Sequence, residues 1–290
     1  MTLRERLDAY EKLIRLDKPI GILLLLWPTL WALWLSARGQ PSWPVVWIFL
    51  LGTVLMRSAG CAINDYADRD FDPHVARTRD RPIAAGLIRP AEALIVATVL
   101  ALGAFLLVLQ LNRLTIVLSF AAAFFAASYP FTKRFFWLPQ AYLGVAFGFG
   151  IPMAFAAQTA RLPWVAWALL LANIFWAVAY DTEYAMVDRE DDRRIGIKTS
   201  ALLFGDRDVT AVMGFHALFI AVLLAIGWQL RLGIYYFAGV LLAAALAASQ
   251  YRLIENRGRE GCFRAFLHNN WVGAAVFAGI VAEFSFPRPF

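Results

Sequence analysis

Two acidic clusters, each directly after a long apolar run, have the residue types and spacing of ligands for a divalent cation. In the first, Asn64, Asp68 and Asp72 are spaced i, i+4 and i+8, which places them on one face of a helix. In the second, Asp188 and Asp192 repeat the i, i+4 spacing. Like charges on successive turns repel one another, so the pattern indicates a compensating cation. Magnesium suits such oxygens and often completes its shell with phosphate, so magnesium at both clusters could grip one diphosphate.

A competing interpretation treats the acids as solvated loop residues that only keep the loops soluble. It applies best to five acids outside the aligned set, which are Asp65, Asp70, Glu183, Glu190 and Asp191. The aligned acids begin at membrane depth, where charged side chains are costly and usually functional. The metal interpretation is therefore favoured for the aligned set, with Asp181 and Tyr184 on the turns before Asp188.

Basic residues follow each cluster and could bind the phosphates. Arg77 comes after the first cluster and Lys198 after the second. Lys133 and Arg134 form a basic turn after the Tyr-Pro pair at 129–130. Arginine forks match phosphate oxygens, and a lysine adds a point charge. Each residue alone fits an anchor that sets membrane orientation, but their common membrane face favours phosphate contact for Arg77 and Lys133.

A lone arginine, Arg57, interrupts the apolar run that precedes the first cluster. It lies about two turns before Asn64, on a nearby face of the same expected helix. An arginine in such a segment needs an anionic partner. That partner is either one of the acids, in a structural ion pair, or an anionic ligand, and the spacing leaves both open.

The 290-residue chain is 61% hydrophobic and 17% charged, against about 45–50% and 25% in ordinary globular domains, which indicates an all-α polytopic membrane protein. Its net charge of +6 does not predict a nucleic-acid partner, because the arginines lie in short loops between apolar runs. Cys61, in an apolar run, and Cys262, in a basic loop, have no spacing that suggests a disulfide framework or a zinc site.

A membrane span needs roughly 20 mainly apolar residues, and nine segments come close to this length. The predicted spans are 20–37, 45–63, 91–109, 114–129, 138–157, 164–180, 209–228, 234–249 and 270–286. In the fifth, Gly144, Gly148, Gly150 and Pro152 predict a kink or close helix packing. The charged, amphipathic segment 2–18 predicts an interfacial helix rather than a cleavable signal.

The basic residues set the predicted orientation. They concentrate in the N-terminal segment and after spans two, four, six and eight, whereas the opposite side has only Arg38, Arg113, Arg161, Arg231 and Arg288. By the positive-inside rule, the N-terminus and both acidic clusters are cytoplasmic, and the C-terminus lies outside. We expect one domain over 1–290, with two related halves at roughly 19–136 and 137–290, because a span, an acidic cluster and a basic stretch occur twice.

The two clusters resemble the signatures of the UbiA-type intramembrane prenyltransferases. The first string is Asn64-Asp-x-x-Asp68-x-x-x-Asp72, with Arg77 and Arg81-Pro82 downstream. The second is Tyr180-Asp181-Thr-Glu-Tyr184-Ala-Met-Val-Asp188-Arg-Glu-Asp-Asp192, followed by Gly196-Ile-Lys198-Thr-Ser. Tyr129-Pro-Phe-Thr-Lys133-Arg134 is similar to the family's basic turn. Arg15-Leu-Asp-Lys18-Pro-Ile-Gly-Ile, with Leu26-Trp-Pro-Thr-Leu-Trp, resembles the branch that acts on 4-hydroxybenzoate, and the match covers almost the whole chain.

The resemblance implies a nine-helix bundle whose central cavity opens to lipid for a long prenyl chain. It also implies two magnesium ions, one held by Asn64, Asp68 and Asp72 and the other by Asp188 and Asp192, with the four aspartates as catalytic residues. Arg57 would hold the carboxylate of an aromatic acid. The expected substrate contacts are Arg57, Asn64, Arg77, Tyr129, Lys133, Arg134, Tyr184 and Lys198.

The reaction expected from the resemblance transfers a polyprenyl group from polyprenyl diphosphate to the ring carbon beside the hydroxyl of 4-hydroxybenzoate. It belongs to ubiquinone biosynthesis, in a bacterial inner membrane, and no obligate protein partner is expected. The ring proton goes to a carboxylate or to the released diphosphate, and the sequence leaves both open.

Three alternatives remain beside this expectation. The family could act on another acceptor, such as homogentisate, a naphthoate or haem. A cation-coupled transporter would place its acids near the midplane on broken helices. A phosphatidyl-alcohol transferase is disfavoured because its Asp-Gly-x-x-Ala-Arg pattern is absent from the chain.

Overall fold

The computed structural model describes residues 2–75 and 77–286, and the regular elements in that part of the chain are helical, as the composition predicts. The α-helices are α1 (Leu3–Ile14), α2 (Ile20–Ser36), α3 (Trp43–Ala67), α4 (Pro90–Val108), α5 (Arg113–Thr132), α6 (Pro139–Gly148), α7 (Gly150–Thr159), α8 (Trp164–Ile195), α9 (Ser200–Phe204), α10 (Asp208–Gln229), α11 (Ile234–Ser249), α12 (Tyr251–Ile254) and α13 (Arg259–Ser285). Arg288, expected on the sparsely charged side, lies outside the described residues.

Each predicted span corresponds to a helix or to a pair of successive helices. Within the described ranges, eight helical segments are long and apolar enough to cross a membrane. The ninth expected span is α2, whose 17 residues make about 26 Å of helix, slightly less than a hydrocarbon core of about 30 Å. The chain is therefore an all-α integral membrane protein, as expected.

Helix α8 extends well beyond the span expected at 164–180, so that predicted end is wrong. It continues for 32 residues, about 48 Å, and ends where Gly196 adopts a left-handed φ of 74°. Acidic and basic side chains alternate along its last turns, and such pairs support a helix outside the apolar region. The second acidic cluster thus lies on the same rigid helix as the sixth span.

The last helix also begins earlier than the sequence indicates. The expected span starts at residue 270, whereas α13 begins at Arg259 and has 27 residues. Cys262 therefore lies inside this helix and is fully buried, so its assignment to a loop is wrong. The amphipathic first turns of α13 carry too many charges to be recognised as part of an apolar span.

The kink expected in the fifth span is confirmed at Phe149, between α6 and α7. Pro152 has no backbone N–H to donate to the carbonyl of Gly148, so the regular hydrogen-bond ladder is interrupted there. The close packing is confirmed as well. A Cβ added at Gly144 would lie 2.8 Å from the Ile174 Cα, so only glycine lets α6 approach α8 this closely.

The amphipathic N-terminal segment forms α1, as predicted, but the helix ends at Ile14 and not at residue 18, because Arg15 adopts a left-handed conformation with a φ of 58°. Thr2 begins it with a capping box, because its hydroxyl accepts from the Glu5 amide while the Glu5 carboxylate accepts from the Thr2 amide. One face buries Leu13 against α3 and α4, whereas Leu3 and Leu7 on another part of the surface remain exposed. This distribution is typical of a helix that lies along the bundle at an interface.

Large aromatic side chains form the centre of the bundle. Trp31 of α2, Trp176 of α8 and Phe219 of α10 are fully buried, with ring centroids 5.3 Å apart for Trp31–Trp176 and 5.7 Å for Trp176–Phe219. Trp31 therefore packs inside the bundle. This core fixes α8 relative to its neighbours.

Candidate active site

The first acidic cluster lies at the end of α3, but it does not form one continuous helical column. Helix α3 ends at Ala67, Asp68 is its C-cap, and Asp72 begins a 3-10 turn over Asp72–His74. The amides of Phe71 and Asp72 both donate to the Asp68 carbonyl at 2.8 Å, which makes a tight turn. Pro73 prevents the helix from continuing through this segment, because it has no N–H to donate to the carbonyl of Arg69 four residues earlier. The expected i, i+4, i+8 helix is therefore wrong at Asp72.

The second cluster has the geometry that the spacing predicts. Asp181, Tyr184, Asp188 and Asp192 all belong to the uninterrupted helix α8, so their side chains follow one face over three turns. Asp188 and Asp192 are buried although they lie in the last turns of the helix. We call this series the α8 ladder.

Arg77 joins the two clusters. It lies in the segment after α3, and its Nε donates to both carboxylate oxygens of Asp188, at 3.1 and 2.9 Å. Its guanidinium also contacts the Tyr184 hydroxyl and lies over the Tyr184 ring, 4.4 Å from the centroid. The sequence prediction that Arg77 belongs to the same site as the α8 ladder is consistent with this placement.

Lys133 brings the end of α5 to the first cluster. Its Nζ forms an ion pair with Oδ2 of Asp68, and the Asn64 amide donates to the same oxygen at 3.1 Å. Tyr129, one turn earlier on α5, donates to the Asn64 amide oxygen at 3.4 Å. The other oxygen of Asp68, Oδ1, is buried without a hydrogen-bond partner. A buried carboxylate oxygen left in this state is suited to a cation.

Asp72 is paired with Arg81, which the sequence analysis included only as part of a signature. The Arg81 Nη1 donates to the two oxygens of Asp72 at 3.0 and 2.9 Å. It also lies 3.3 Å from Asp65, whose carboxylate accepts from Arg15 at 2.6 Å. Burial raises the pKa of the Asp72 carboxyl to about 6, and the positive charge of Arg81 opposes that shift.

The solvated-loop interpretation is consistent with Asp70, which is largely exposed after the end of α3. Glu190 is also largely exposed, but it lies on α8 and not in a loop. Asp65 and Glu183 are fully buried, and Asp191 is nearly so, which makes the interpretation wrong for these three. Asp65 supports the loop of the first cluster through two arginines, and Asp191 pairs with Arg259 at 3.3 Å. The sequence missed these partners because they come from distant segments of the chain.

Two of the expected substrate contacts point elsewhere in this structure. Arg134 donates to the Ala67 carbonyl at 2.7 Å and so caps the end of α3. Lys198 donates to the Phe135 carbonyl at 3.3 Å and lies over the Trp137 ring, 4.7 Å from its centroid. Both side chains lie beside the site and do not contact its carboxylates. Their roles as substrate contacts stay predictions.

Among the described residues, no acid lies within 4.0 Å of the Arg57 guanidinium, which donates a hydrogen bond to the Cys61 sulfur. Its Nε atom is buried and has no hydrogen-bond partner among the same residues. Of the two partners left open by the sequence, the structural ion pair is therefore not formed, and an anionic ligand is favoured.

A cavity lies beside Arg57, between helices α2 to α7 of the bundle. Its volume is about 130 Å³. Arg57 and Tyr129 contribute polar groups to its wall, and the remaining lining is almost wholly apolar. Because Tyr129 also contacts Asn64, the cavity begins directly beside the first acidic cluster.

The residues fit a metal–diphosphate site, although the carboxylates of Asp68, Asp72 and Asp188 are paired with cations in this structure. In the described ranges, no group of three or more His, Cys, Asp or Glu side chains is already gathered around a common point. Lys133 and Arg77 instead neutralise Asp68 and Asp188. The donors are hard oxygens, which suit magnesium, and the paired cations suit phosphate oxygens. The unpartnered oxygen of Asp68 supports the fit.

Comparison with known proteins identifies the family. The profile of the UbiA prenyltransferase family matches residues 25–275. The chain belongs to this family. The family resemblance that the two acidic signatures indicate is thus confirmed.

Relatives within the family are similar over nearly the whole chain. A 4-hydroxybenzoate octaprenyltransferase of Thiobacillus denitrificans is 64% identical over 98% of this chain and 97% of its own length. The protein of the same name from Nitrosospira multiformis is also 64% identical, over 98% of both chains. Both relatives are bacterial proteins with the length of this chain.

Solved structures of UbiA homologues share the fold. The apo structure of a homologue from Aeropyrum pernix has a TM-score of 0.79 at 25% identity, over 91% of this chain and 97% of the homologue. A homologue from Archaeoglobus fulgidus bound to GPP and Mg²⁺ has a TM-score of 0.72 at 18% identity, over 96% of this chain and all of the homologue. The bundle described above is therefore the fold of the family.

Proposed function

We propose that this chain transfers a polyprenyl group from polyprenyl diphosphate to the ring carbon ortho to the hydroxyl of 4-hydroxybenzoate. The observation that carries the proposal is Arg57, which has no acidic partner among the described residues and lies in a mostly apolar cavity beside the first acidic cluster. The names of the 64% identical relatives support the same substrates and favour an octaprenyl donor. The product is a precursor of ubiquinone.

Two magnesium ions would be held by the five predicted ligands, Asn64 with Asp68 and Asp72, and Asp188 with Asp192. Magnesium bound there would neutralise the diphosphate and the charge that develops on it as a leaving group. Arg77 and Lys133 are the chain's own diphosphate ligands. In this structure they neutralise Asp188 and Asp68. Once magnesium ions bind those two carboxylates, Arg77 and Lys133 would be free to contact phosphate oxygens. The Archaeoglobus homologue bound to GPP and Mg²⁺ supports this assignment.

Arg57 is the proposed ligand for the carboxylate of 4-hydroxybenzoate. A guanidinium can form two parallel hydrogen bonds to a carboxylate, and a low-polarity wall strengthens them. Held this way, the acid would present its hydroxyl-bearing ring to the end of the cavity nearest the acidic clusters. Tyr129, which contacts Asn64 and lines the same cavity, lies between the two substrate regions.

The reaction is an electrophilic substitution on the aromatic ring. The allylic carbon–oxygen bond breaks and diphosphate leaves with the electron pair, while the ring carbon ortho to the hydroxyl bonds to the allylic carbon. That ring carbon then loses its proton to a carboxylate or to the released diphosphate. The apolar lining excludes water, which would otherwise capture the allylic cation. The site lies at the cytoplasmic side of a bacterial inner membrane, where the basic loops gather.

The experiment that tests this function uses the full-length protein in lipid vesicles. Ring-labelled 4-hydroxybenzoate, Mg²⁺ and polyprenyl diphosphates of several lengths are supplied, and label is counted in the organic extract. We expect lipid-soluble label with Mg²⁺ and none after chelation with EDTA. Absence of lipid label at every chain length, from protein that is folded, would contradict the proposal. Unlabelled homogentisate in excess tests the rival acceptor, and it should not reduce the label.

Variants of the two acidic clusters test the roles of the carboxylates in the same assay. Asp68→Ala and Asp188→Ala should each lower turnover at least about 10²–10³-fold, because the charge that develops on diphosphate loses its compensation. Asp70→Ala is the matched control, since this neighbouring acid is exposed and paired only with Arg69. It should retain activity. Equal losses in all three variants would contradict the assigned roles.

A further inference from the structure

A buried polar network lies behind the α8 ladder, in the part of the bundle that the proposed reaction does not use. Glu183 of α8 is fully buried, and its Oε2 accepts from the Asn269 amide of α13 at 2.8 Å. Its Oε1 lies 3.7 Å from Nε2 of His216 on α10. A carboxylate and an imidazole inside a membrane bundle are costly and therefore call for a functional explanation.

Asn269 connects the network to a second turn of α8. Its Oδ1 accepts from the indole N–H of Trp176 at 2.9 Å, while its Nδ2 donates to Glu183. Trp176 and Glu183 are seven residues apart, so they lie on the same side of α8, two turns from each other. One amide on α13 thus holds α8 at two points along its axis.

The anchored side of α8 is opposite to the ladder. At 3.6 residues per turn, Glu183 projects about 200° around the axis from Asp181, whereas Asp188 and Asp192 project within about 20° of Asp181. A rotation of α8 by one residue would move every ladder carboxylate off the site. The network resists that rotation because it would break the two hydrogen bonds that join Asn269 to α8.

We propose that Glu183 is a positioning residue that, through Asn269, sets the rotation of α8 about its axis. This rotation determines the direction in which the carboxylates of the α8 ladder project. Glu183 does not touch the substrates and acts through Asp188 and Asp192. The inference rests on the proposed function only in taking these two aspartates as ligands of the magnesium–diphosphate complex. Outer partners that orient metal ligands typically contribute about 10–100-fold to metal affinity.

The test measures the melting temperature of the full-length chain in detergent against Mg²⁺ concentration, at a fixed concentration of inorganic diphosphate. For Glu183→Leu we expect the half-saturating Mg²⁺ concentration to rise about 10–100-fold. Glu183→Gln keeps an oxygen for the Asn269 amide, so its value should stay within about threefold of wild type. Glu190→Leu, the same substitution at an exposed position of α8, is the matched control and should titrate like wild type.

The outcomes separate positioning from packing. A packing role would lower the melting temperature of Glu183→Leu without ligands and leave its half-saturating Mg²⁺ concentration unchanged, which would overturn the proposal. If Glu183→Leu does not fold, Trp176→Phe takes its place, because it removes one hydrogen bond of Asn269 and keeps an aromatic ring. An unchanged half-saturating Mg²⁺ concentration in Trp176→Phe would also overturn the proposal. If the wild-type chain shows no stabilisation by Mg²⁺ and diphosphate, the proposed site is wrong and this inference with it.

Discussion

In our proposal Arg57 selects the small molecule that the cavity accepts, because its guanidinium is the charged group in a wall that is otherwise mostly apolar. Its guanidinium has room only because α2 carries a glycine opposite it. A Cβ at Gly21 would lie 2.5 Å from Nη2 and 2.7 Å from Nε of Arg57. The position of this one charge is therefore set by a missing side chain on a neighbouring helix.

Replacing Arg57 tests its assignment to the aromatic acid. Arg57→Ala should raise the KM for 4-hydroxybenzoate about 10–100-fold, since hydrogen bonds to a charged group contribute about 1.5–3 kcal/mol, while the KM for polyprenyl diphosphate changes little. Arg57→Lys keeps the charge but loses the paired hydrogen bonds of the guanidinium, so its KM for 4-hydroxybenzoate should lie between those of the wild type and of Arg57→Ala. Steady-state kinetics with each substrate varied in turn measure both constants. An unchanged KM for the acid would show that Arg57 has a structural role.

Gly21→Ala tests whether the placement of the guanidinium matters as well as its charge. The added methyl group would displace the end of the Arg57 side chain, so the KM for 4-hydroxybenzoate should rise a fewfold with little loss of kcat. Gly214→Ala on α10 is the matched control, because a Cβ there meets nothing within 4 Å. Equal effects of both alanines on this KM would contradict the argument.

At the scale of the helix, the sequence predicted that each long helix exists. It did not predict the residues at which helices with charged terminal turns begin or end. The apolar runs specify the spans, and the i, i+4 acids specify the ladder on α8. The extension of α8 to Ile195 is not visible in hydropathy, since its last three turns are mostly charged. The break after Ala67 is visible only from Pro73, and the burial of Asp65 only from the fold, which brings Arg15 and Arg81 to it.

The close crossing of α11 and α13 gives a prediction about stability alone. A Cβ at Gly239 would lie 2.5 Å from the Gly279 Cα, so Gly239→Ala must separate the two backbones. Such overpacking costs about 1–3 kcal/mol, and the melting temperature should fall accordingly. The titration with Mg²⁺ should not change in the protein that remains folded. An equal fall for Gly214→Ala would mean that the loss does not arise at the crossing.

At the scale of the whole molecule, loops and helix ends from four parts of the chain meet at one end of the bundle. Arg15 from the N-terminal segment reaches Asp65, Arg77 reaches Asp188, and Lys133 reaches Asp68. Each contact pairs a cation with an acid from a different segment. The arrangement keeps buried carboxylates neutralised before substrates bind. It also places the basic side chains where the phosphate groups are expected. The predicted division into two related halves stays a prediction.

The most direct test of this account is an experimental structure of the full-length chain with Mg²⁺ and a non-hydrolysable polyprenyl diphosphate analogue. We predict that Arg77 and Lys133 leave Asp188 and Asp68 and contact phosphate oxygens, while those carboxylates bind the metal ions and the prenyl tail enters the cavity beside Arg57. A diphosphate bound elsewhere, with the Arg77–Asp188 and Lys133–Asp68 pairs intact, would contradict it.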